Sequence, residues 1–377
     1  MLDAIALAAM APIVAESSGF RPYALIRRVT SGDSPRSASI TADVVVHPQD
    51  LDGGLKGLKE AVRTSGANVE RRGDLEILKA NQDSDPAWNG MYDNSSPAFL
   101  MVGYGATRRV ETNAQVDEGF RARTRSPRYE RIASLFEDHY TLRPLSSWLP
   151  DWQFKNPGRY KQVVTLINKL SMEHIKFTGR IEGGEYLFEV GRNLVPFSAM
   201  SDGFKAFIGW IGDMLYHVCM GCPTGKRLVD NKGVVLVDEI DLHIHPEWQQ
   251  TMIPILARAL PNLQFVFTSH SPLVVGSLER ANVIHVVTGA NGTAKMVRPD
   301  EEIFGKTADQ ILRSDMFGLS TTRAPAFRAQ LDKLAAAATA GDRDAALNFM
   351  RQAARGSGAE DATLPSKRRE MPSWLKR

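Results

Sequence analysis

Two acids close an apolar run. In "GVVLVDEIDLHIHPEW" (233–248), Val234 to Val237 lead directly into Asp238 and Glu239. A short β-branched run reads as a buried strand, and such a strand delivers the next residues to the carboxyl edge of an open α/β sheet, where ligands bind. Two adjacent carboxylates there are costly unless a cation or a proton-transfer role uses them. In nucleoside triphosphate hydrolysis the first acid holds Mg2+, and the second orients and deprotonates the attacking water. Taken alone, the commoner meaning of such a run is a strand ending in solvated acids.

Two further stretches change that balance. "FSAMSDGFKAFIGWIGDMLYHV" (197–218) sets Ser201 and Gly203 at the start of a long apolar-periodic helix. Free N–H groups, the helix dipole and a glycine that admits close backbone approach make an anion site; an ordinary Ser/Asp N-cap is the simpler alternative. "NLQFVFTSHSP" (262–272) is a second buried strand, after which His270 is placed to reach a terminal phosphate. A hydrogen-bonded strand-end histidine is the simpler alternative there. The order Ser-x-Gly helix, Asp-Glu strand, His strand is far more specific than any one piece.

These residues need a scaffold. Residues 1–12 read as a helix, 38–47 as a strand, and "FLMVGYGATRR" (99–109) as an apolar strand ending in a Gly-bracketed turn with two arginines. Residues 50–97 give no clear elements. Residues 110–180 read as helical with proline breaks, and 175–190 as a hairpin about Gly183-Gly184. Residues 249–260 form an amphipathic helix, and "VIHVV" (283–287) a third strand of the series. Strands alternating with helices imply parallel crossover units. Residues 300–355 are mostly helical, and 356–377 form a loose basic tail.

Of 377 residues, 43% are hydrophobic and 24% charged, enough apolar material for a large core. The net charge of +3 permits nucleic-acid contact without arguing for it. No run approaches the roughly 18 apolar residues of a membrane span, and no secretory leader pattern opens the chain. The two cysteines, Cys219 and Cys222, make no disulfide framework. A cytoplasmic protein without a membrane partner is the expectation.

The three stretches together resemble the ABC-type ATPases of the RecF/SMC/OLD branch, in particular bacterial AAA-type ATPases related to abortive-infection and phage-defence proteins. "VLVDEIDLHIHPEWQ" resembles their Walker B and D-loop segment, "FVFTSHSP" their switch-histidine segment and "FSAMSDGFK" their signature motif, while "GYGATRR" is similar to a segment that follows their first strands. The resemblance implies an α/β fold, an ABC-type P-loop ATPase head with a mixed sheet. The head would span 1–300, with a helical insertion at about 110–175, and a helical C-terminal extension would occupy 301–377. It also implies ATP and Mg2+ as cofactors. Asp238 would hold the metal, Glu239 would be the catalytic base and His270 would contact the γ-phosphate. Ser201 and Gly203 would bind ATP held by a second subunit, and Asp241 would lie in the D-loop at a homodimer interface. A nucleotide-gated dimer acting on DNA or on a partner effector, in DNA repair or phage defence, is the implied function.

The family's phosphate loop, G-x-x-x-x-G-K-[ST], has no match in the 377 residues. "GCPTGKR" (221–227) has one residue too few and reads as a connecting loop; "GYGATRR" and "GGLKGLK" (53–59) also fail. "MLDAIALAAMAP" resembles the helix that follows this loop, so Met1 falls just beyond the missing Lys-Ser/Thr. An upstream start is the expectation, with weak ATP binding and hydrolysis by the chain as written and partly uncovered edge strands. The alternative is a non-catalytic partner that donates its signature motif to an intact ATPase subunit.

Three other clusters carry less. Strand-like spacing would set Asp241, His243 and His245 on one face as metal ligands, but a zinc site needs a fuller ligand set. "HVCMGC" (217–222) holds one CxxC, a helix-end thiol pair. Arg108, Arg109, Arg121, Arg123, Arg125, Arg128 and Arg131 could line a nucleic-acid groove, yet Glu111, Asp117, Glu118 and Glu130 interleave them, which suits a solvated helical face equally. No nuclease, Toprim or protease constellation is evident in 276–377.

Overall fold

The computed structural model describes all residues except 18–19, 21, 24, 31–33, 53–61, 82–88, 95, 111–125, 172–173, 290–291 and 355–377. The stretch at 53–59, Arg121, Arg123, Arg125 and the basic tail therefore lie outside the described residues.

Helix α1 (Leu2–Glu16) is built from small apolar residues and is buried along most of its length. Met10 leaves helical geometry two residues before Pro12, whose ring blocks the regular hydrogen bond there. Strands β1 (Ser37–Val45), β2 (Val62–Arg72) and β3 (Leu75–Asn81) form an antiparallel meander beside α1. Ser65 of β2 donates to the Ala8 carbonyl at 2.8 Å, a contact that the slim alanine surface of α1 allows.

Strand β4 (Leu100–Tyr104) is buried at every position. After it come the two-residue strands β5 (Arg109–Val110) and β6 (Thr141–Leu142), which pair in parallel. Helices α2 (Leu145–Lys155) and α3 (Pro157–Leu170) follow, so the described part of the stretch read as helical does contain helices, while 111–125 lie outside the described residues. Strands β7 (Ile175–Glu182) and β8 (Glu185–Val190) form the hairpin read about Gly183-Gly184, and β9 (Asn193–Pro196) adds a third strand that its four-residue length and final proline hide.

Helix α4 (Asp202–Met220) is buried along most of one side. Two glycines let it approach closely: a Cβ on Gly209 would sit 2.2 Å from Val110, and one on Gly212 2.6 Å from Leu145. The loop 221–232 then leads to β10 (Gly233–Val237), as expected for "GCPTGKR". Helix α5 (Pro246–Ala259) crosses to β11 (Leu263–Phe267).

Strand β10 is central in a parallel sheet of order β11-β10-β4, with Val237 opposite both Tyr104 and Phe267. Val235, Leu236 and Val237 are fully buried, which explains their unbroken apolar run. Among the described residues, the outer edge of β11 carries no strand, and Phe265, Val266 and Phe267 stay only half-buried.

The stretch at 283–287 departs from expectation. Strand β12 (His285–Thr288) pairs with β13 (Ala294–Val297) in a separate two-stranded hairpin and does not extend the parallel sheet. Its alternating half-exposed pattern is that of a hairpin, whereas β10 is buried on both faces.

The chain divides into two units, Met1–Ile284 with Met296–Gly305, and His285–Lys295 with Lys306–Arg377. The boundary read at 300 thus falls inside a segment of the first. The second unit contains a helical pair, α6 (Pro325–Thr339) and α7 (Arg343–Ala354). Arg323 donates to the Ala353 carbonyl at 2.7 Å, setting a cation at the negative end of α7.

Candidate functional site

The acidic turn begins where β10 ends. Asp238 N–H donates to the Tyr104 carbonyl of β4 at 2.8 Å, and Thr268 N–H, just past β11, donates to the Val237 carbonyl at 3.1 Å. The sheet ladder therefore continues one step into the turn and fixes its start. Glu239 N–H donates to Thr268 Oγ1 at 2.8 Å, and the same hydroxyl donates to Asp238 Oδ1. Ile240 N–H closes the turn onto the Thr268 carbonyl at 3.0 Å. Glu239 has a φ of +47°, a left-handed conformation that costs a non-glycine residue about 1 kcal/mol or more. Thr268 is a site residue that the sequence reading passed over; its only signal was a hydroxyl two residues before His270.

Arg108 completes the turn from β4's side. Its Nη1 donates to the Asp238 carbonyl and its Nη2 to the Glu239 carbonyl, both at 2.8 Å. Burial lowers its pKa to about 10, opposed by the charges of Asp238, Asp241 and Glu239. It remains a cation at neutral pH, facing three acids.

The first turn of α1 also faces this place. Burial raises the Asp3 carboxyl above its usual value, and repulsion from Asp238 adds to the rise, against the attraction of the N-terminal ammonium. Asp3, Asp238, Glu239 and Asp241 together exceed Arg108 and the N-terminal ammonium in charge. Asp238 is only half-buried, so the charge balance and accessibility both suit a bound divalent cation.

A second cluster sits at the start of α4. Ser201 is its N-cap, with Oγ accepting the Phe204 N–H at 3.4 Å, and the residue is exposed. The ordinary capping role is therefore real, and the hydroxyl hydrogen stays available to another acceptor. Gly203 packs against the turn after Glu239: a Cβ there would lie 2.4 Å from the His243 carbonyl oxygen. Ser201, Gly203, Phe204, His243, His245 and Trp248 line one cavity of about 460 Å³. The segment 238–245 thus joins the two clusters, with the acids at one end and the Ser-x-Gly helix start at the other.

Asp241 lies between them, half-buried, with Oδ1 unpartnered and its carbonyl accepting from Gln249 at 3.3 Å. His270 follows Thr268 and is exposed at the same end of the sheet.

The zinc alternative fails on geometry. Residues 238–243 form turns, so Asp241, His243 and His245 share no strand face. His243 has a φ of +63°, and His245 is the N-cap of α5, its Nδ1 accepting from Glu247 N–H at 3.4 Å. No group of three or more His, Cys, Asp or Glu able to hold a metal ion occurs among the described residues.

The arginine cluster is likewise no groove or solvated face at its described inner positions. Arg128 is 0% exposed and donates to the carbonyls of Asp93, Ser96, Ala98 and Phe99. Arg131 and Arg108 are buried too, and only Arg109 of the described members is exposed. Cys219 and Cys222 are both free and buried. No described helix is long and apolar enough to cross a membrane. A Gly-Lys-Thr triplet does occur at 305–307, but Asp300 stands where a phosphate loop has its first glycine, and Thr307 forms a capping box with Gln310.

The sequence also matches known proteins. Residues 111–276 match the family "AAA domain, putative AbiEii toxin, Type IV TA system". The chain is 34% identical over 113 residues to "Retron Vc95 probable ATPase" of Vibrio cholerae serotype O1 biovar El Tor, covering 30% of this chain and 22% of that protein. It is 25% identical over 230 residues to "Septu protein PtuA" of Bacillus mycoides (strain KBAB4), covering 61% of this chain and 31% of that one. The chain thus spans less than a third of either relative. Among solved structures, the SMC head domain from Thermotoga maritima aligns over 77% of this chain and 85% of that chain, at a TM-score of 0.40 and 14% identity. Residues 111–276, which hold the Ser-x-Gly helix, the acidic turn and the His270 segment, are thus similar to an AAA domain family, in line with the resemblance to the RecF/SMC/OLD branch.

Proposed function

We propose that this chain is the Walker B and signature portion of an ATP-binding and ATP-hydrolysing ABC-type ATPase, working as a nucleotide-gated homodimer on DNA or on a partner effector, in DNA repair or phage defence. The observation that carries the reading is the braced acidic turn at the end of the central parallel strand, with Thr268 and His270 beside it and Gly203 packed on its far end. In this reading Asp238 holds Mg2+, which supplies neutralising charge at the phosphates when bound. Glu239 takes the proton of the attacking water, and His270 contacts the γ-phosphate. Ser201 and Gly203, exposed and half-exposed, face the nucleotide of a second subunit, and Asp241 lies at that interface.

A second reading has one observation in its favour: the 377 residues contain no G-x-x-x-x-G-K-[ST]. Without those N–H groups and that lysine, phosphate affinity falls severely. The chain would then be a non-catalytic partner that lends Ser201 and Gly203 to an intact ATPase subunit.

The deciding experiment measures ATP turnover and ATP-dependent dimerisation by the 377-residue chain beside a version extended upstream to include a phosphate loop. Turnover in the extended form that Glu239→Gln abolishes, with ATP-dependent dimers retained, supports the first reading. Turnover by Glu239→Gln at the parental rate overturns the assignment of the base. Inactivity of both forms, with stimulation of an intact ATPase subunit on mixing, supports the second.

A further inference from the structure

Arg108 is bound to the acidic turn in a way that neither acid–base chemistry nor nucleotide contact requires. Its two terminal nitrogens each reach one of two successive carbonyls, those of Asp238 and Glu239, at 2.8 Å. A planar guanidinium fork can do this; an ammonium, a single point of charge on a flexible stem, cannot hold two carbonyls in fixed directions. The carbonyls belong to a turn at the carboxyl edge of the sheet that holds a left-handed non-glycine residue, Glu239 at φ +47°. Such a conformation persists only where its surroundings over-determine it. Here Tyr104 O takes the Asp238 N–H, Thr268 Oγ1 takes the Glu239 N–H, and Arg108 takes both carbonyls. Every backbone polar group of the two acids is engaged.

We propose that Arg108 is a positioning residue for the Asp238–Glu239 pair: by clamping both carbonyls it sets the direction of the two carboxylates, and it ties the segment after β4 to the acidic turn. The proposal rests on the reading of these acids as the metal-holding and proton-accepting pair. It also accounts for why the arginine is buried against acids when a nucleic-acid contact would need it outside. Its charge offsets part of the repulsion among Asp238, Glu239 and Asp241, while its two bonds to this turn go to backbone carbonyls.

The test uses Arg108→Lys, which keeps charge and length but loses the fork. In the 377-residue chain, amide hydrogen exchange in a peptide covering 237–242 should speed up at least tenfold, while the β7–β8 hairpin exchanges as in the parent. Unchanged exchange at 237–242 overturns the clamp. Arg108→Gln gives a second variant should lysine fail to fold. In the form of the protein that hydrolyses ATP, Arg108→Lys should lower kcat tenfold or more with KM for ATP unchanged, and should add no further loss on top of Glu239→Gln. Parental kcat, or a rise in KM alone, overturns the positioning role. Absence of turnover in every parental form would count against the ATPase reading, and the exchange result on Arg108 would still decide the clamp.

Discussion

Gly203→Ala offers a direct measure of how tightly the Ser-x-Gly helix start is fitted to the turn after the acids. The added Cβ would sit 2.4 Å from the His243 carbonyl oxygen, where an unstrained carbon–oxygen contact needs roughly 3.3 Å. About 0.9 Å must therefore be found by moving backbone, because the obstacle is a carbonyl in a residue already held at φ +63°. Overpacking of this kind costs about 1–3 kcal/mol. Replacing glycine by alanine in a helix returns up to about 1 kcal/mol through propensity and a less flexible unfolded chain. The expected net result is a loss of about 1–2 kcal/mol, read as a lower urea midpoint at unchanged slope. Gly158→Ala is the matched control. It occupies the same second helical position in α3, and its added Cβ meets only Asn156 Oδ1, at 3.7 Å. That variant should gain about 0.5–1 kcal/mol. If Gly203→Ala is stabilised as much as Gly158→Ala, the helix start does not abut the turn and the joined-site geometry is wrong.

Asp213, 1% exposed, accepts from Tyr104 OH at 2.9 Å and Arg143 N–H at 2.8 Å and faces His217 at 3.4 Å, so Asp213→Ala should cost about 3–5 kcal/mol by chemical denaturation. Burial alone would raise the Asp213 pKa, but the charge of the facing His217, the Arg143 N–H and the Tyr104 hydroxyl hold it below the usual carboxylate value. Its contribution is therefore present above about pH 4, where the unfolded residue is already ionised, and is lost as pH falls through the folded value. Asp213→Asn should flatten stability against pH in that acid range. Thr268→Val should lose the bonds to Glu239 and Asp238 at about 1–2 kcal/mol of stability, and should lower turnover in any ATP-hydrolysing form far more than that loss explains. Cys219, 4% exposed and with its thiol pushed up to about 12 by burial, should resist thiol reagents at pH 8 until the chain is unfolded in denaturant.

The residues legible in the sequence were those whose pattern is set by a single element. Val234 to Val237 are apolar without interruption because β10 is covered on both sides, and Ser201 precedes α4 because a helix start needs a cap. The brace around the acids was not legible, because it is made by contacts across the sheet. Thr268 is one hydroxyl among several in "FTSHS", and nothing local says that it meets Glu239. Arg108 and Arg128 carry the same charge as solvated arginines; what distinguishes them is a set of backbone carbonyls presented by distant loops. The stretch at 283–287 misled for a different reason. Four β-branched residues about His285 suit an open hairpin as well as a buried parallel strand, and only the partner decides.

The clamp of Arg108 on Asp238 joins residues 130 positions apart in the chain. Strand β4 and Arg108 leave the ribosome well before the acids they will hold. At about 5–20 residues per second the wait is on the order of ten seconds. During that time β4 has an apolar edge and no neighbour, while the local elements between, the β7–β8 hairpin and helices α2 to α4, can already form. The sheet that carries the site is therefore the late product of synthesis, and closing so long a loop makes it the slow step of refolding as well. Yield of soluble protein should consequently depend more on growth temperature and chaperone supply than on the final stability of the fold.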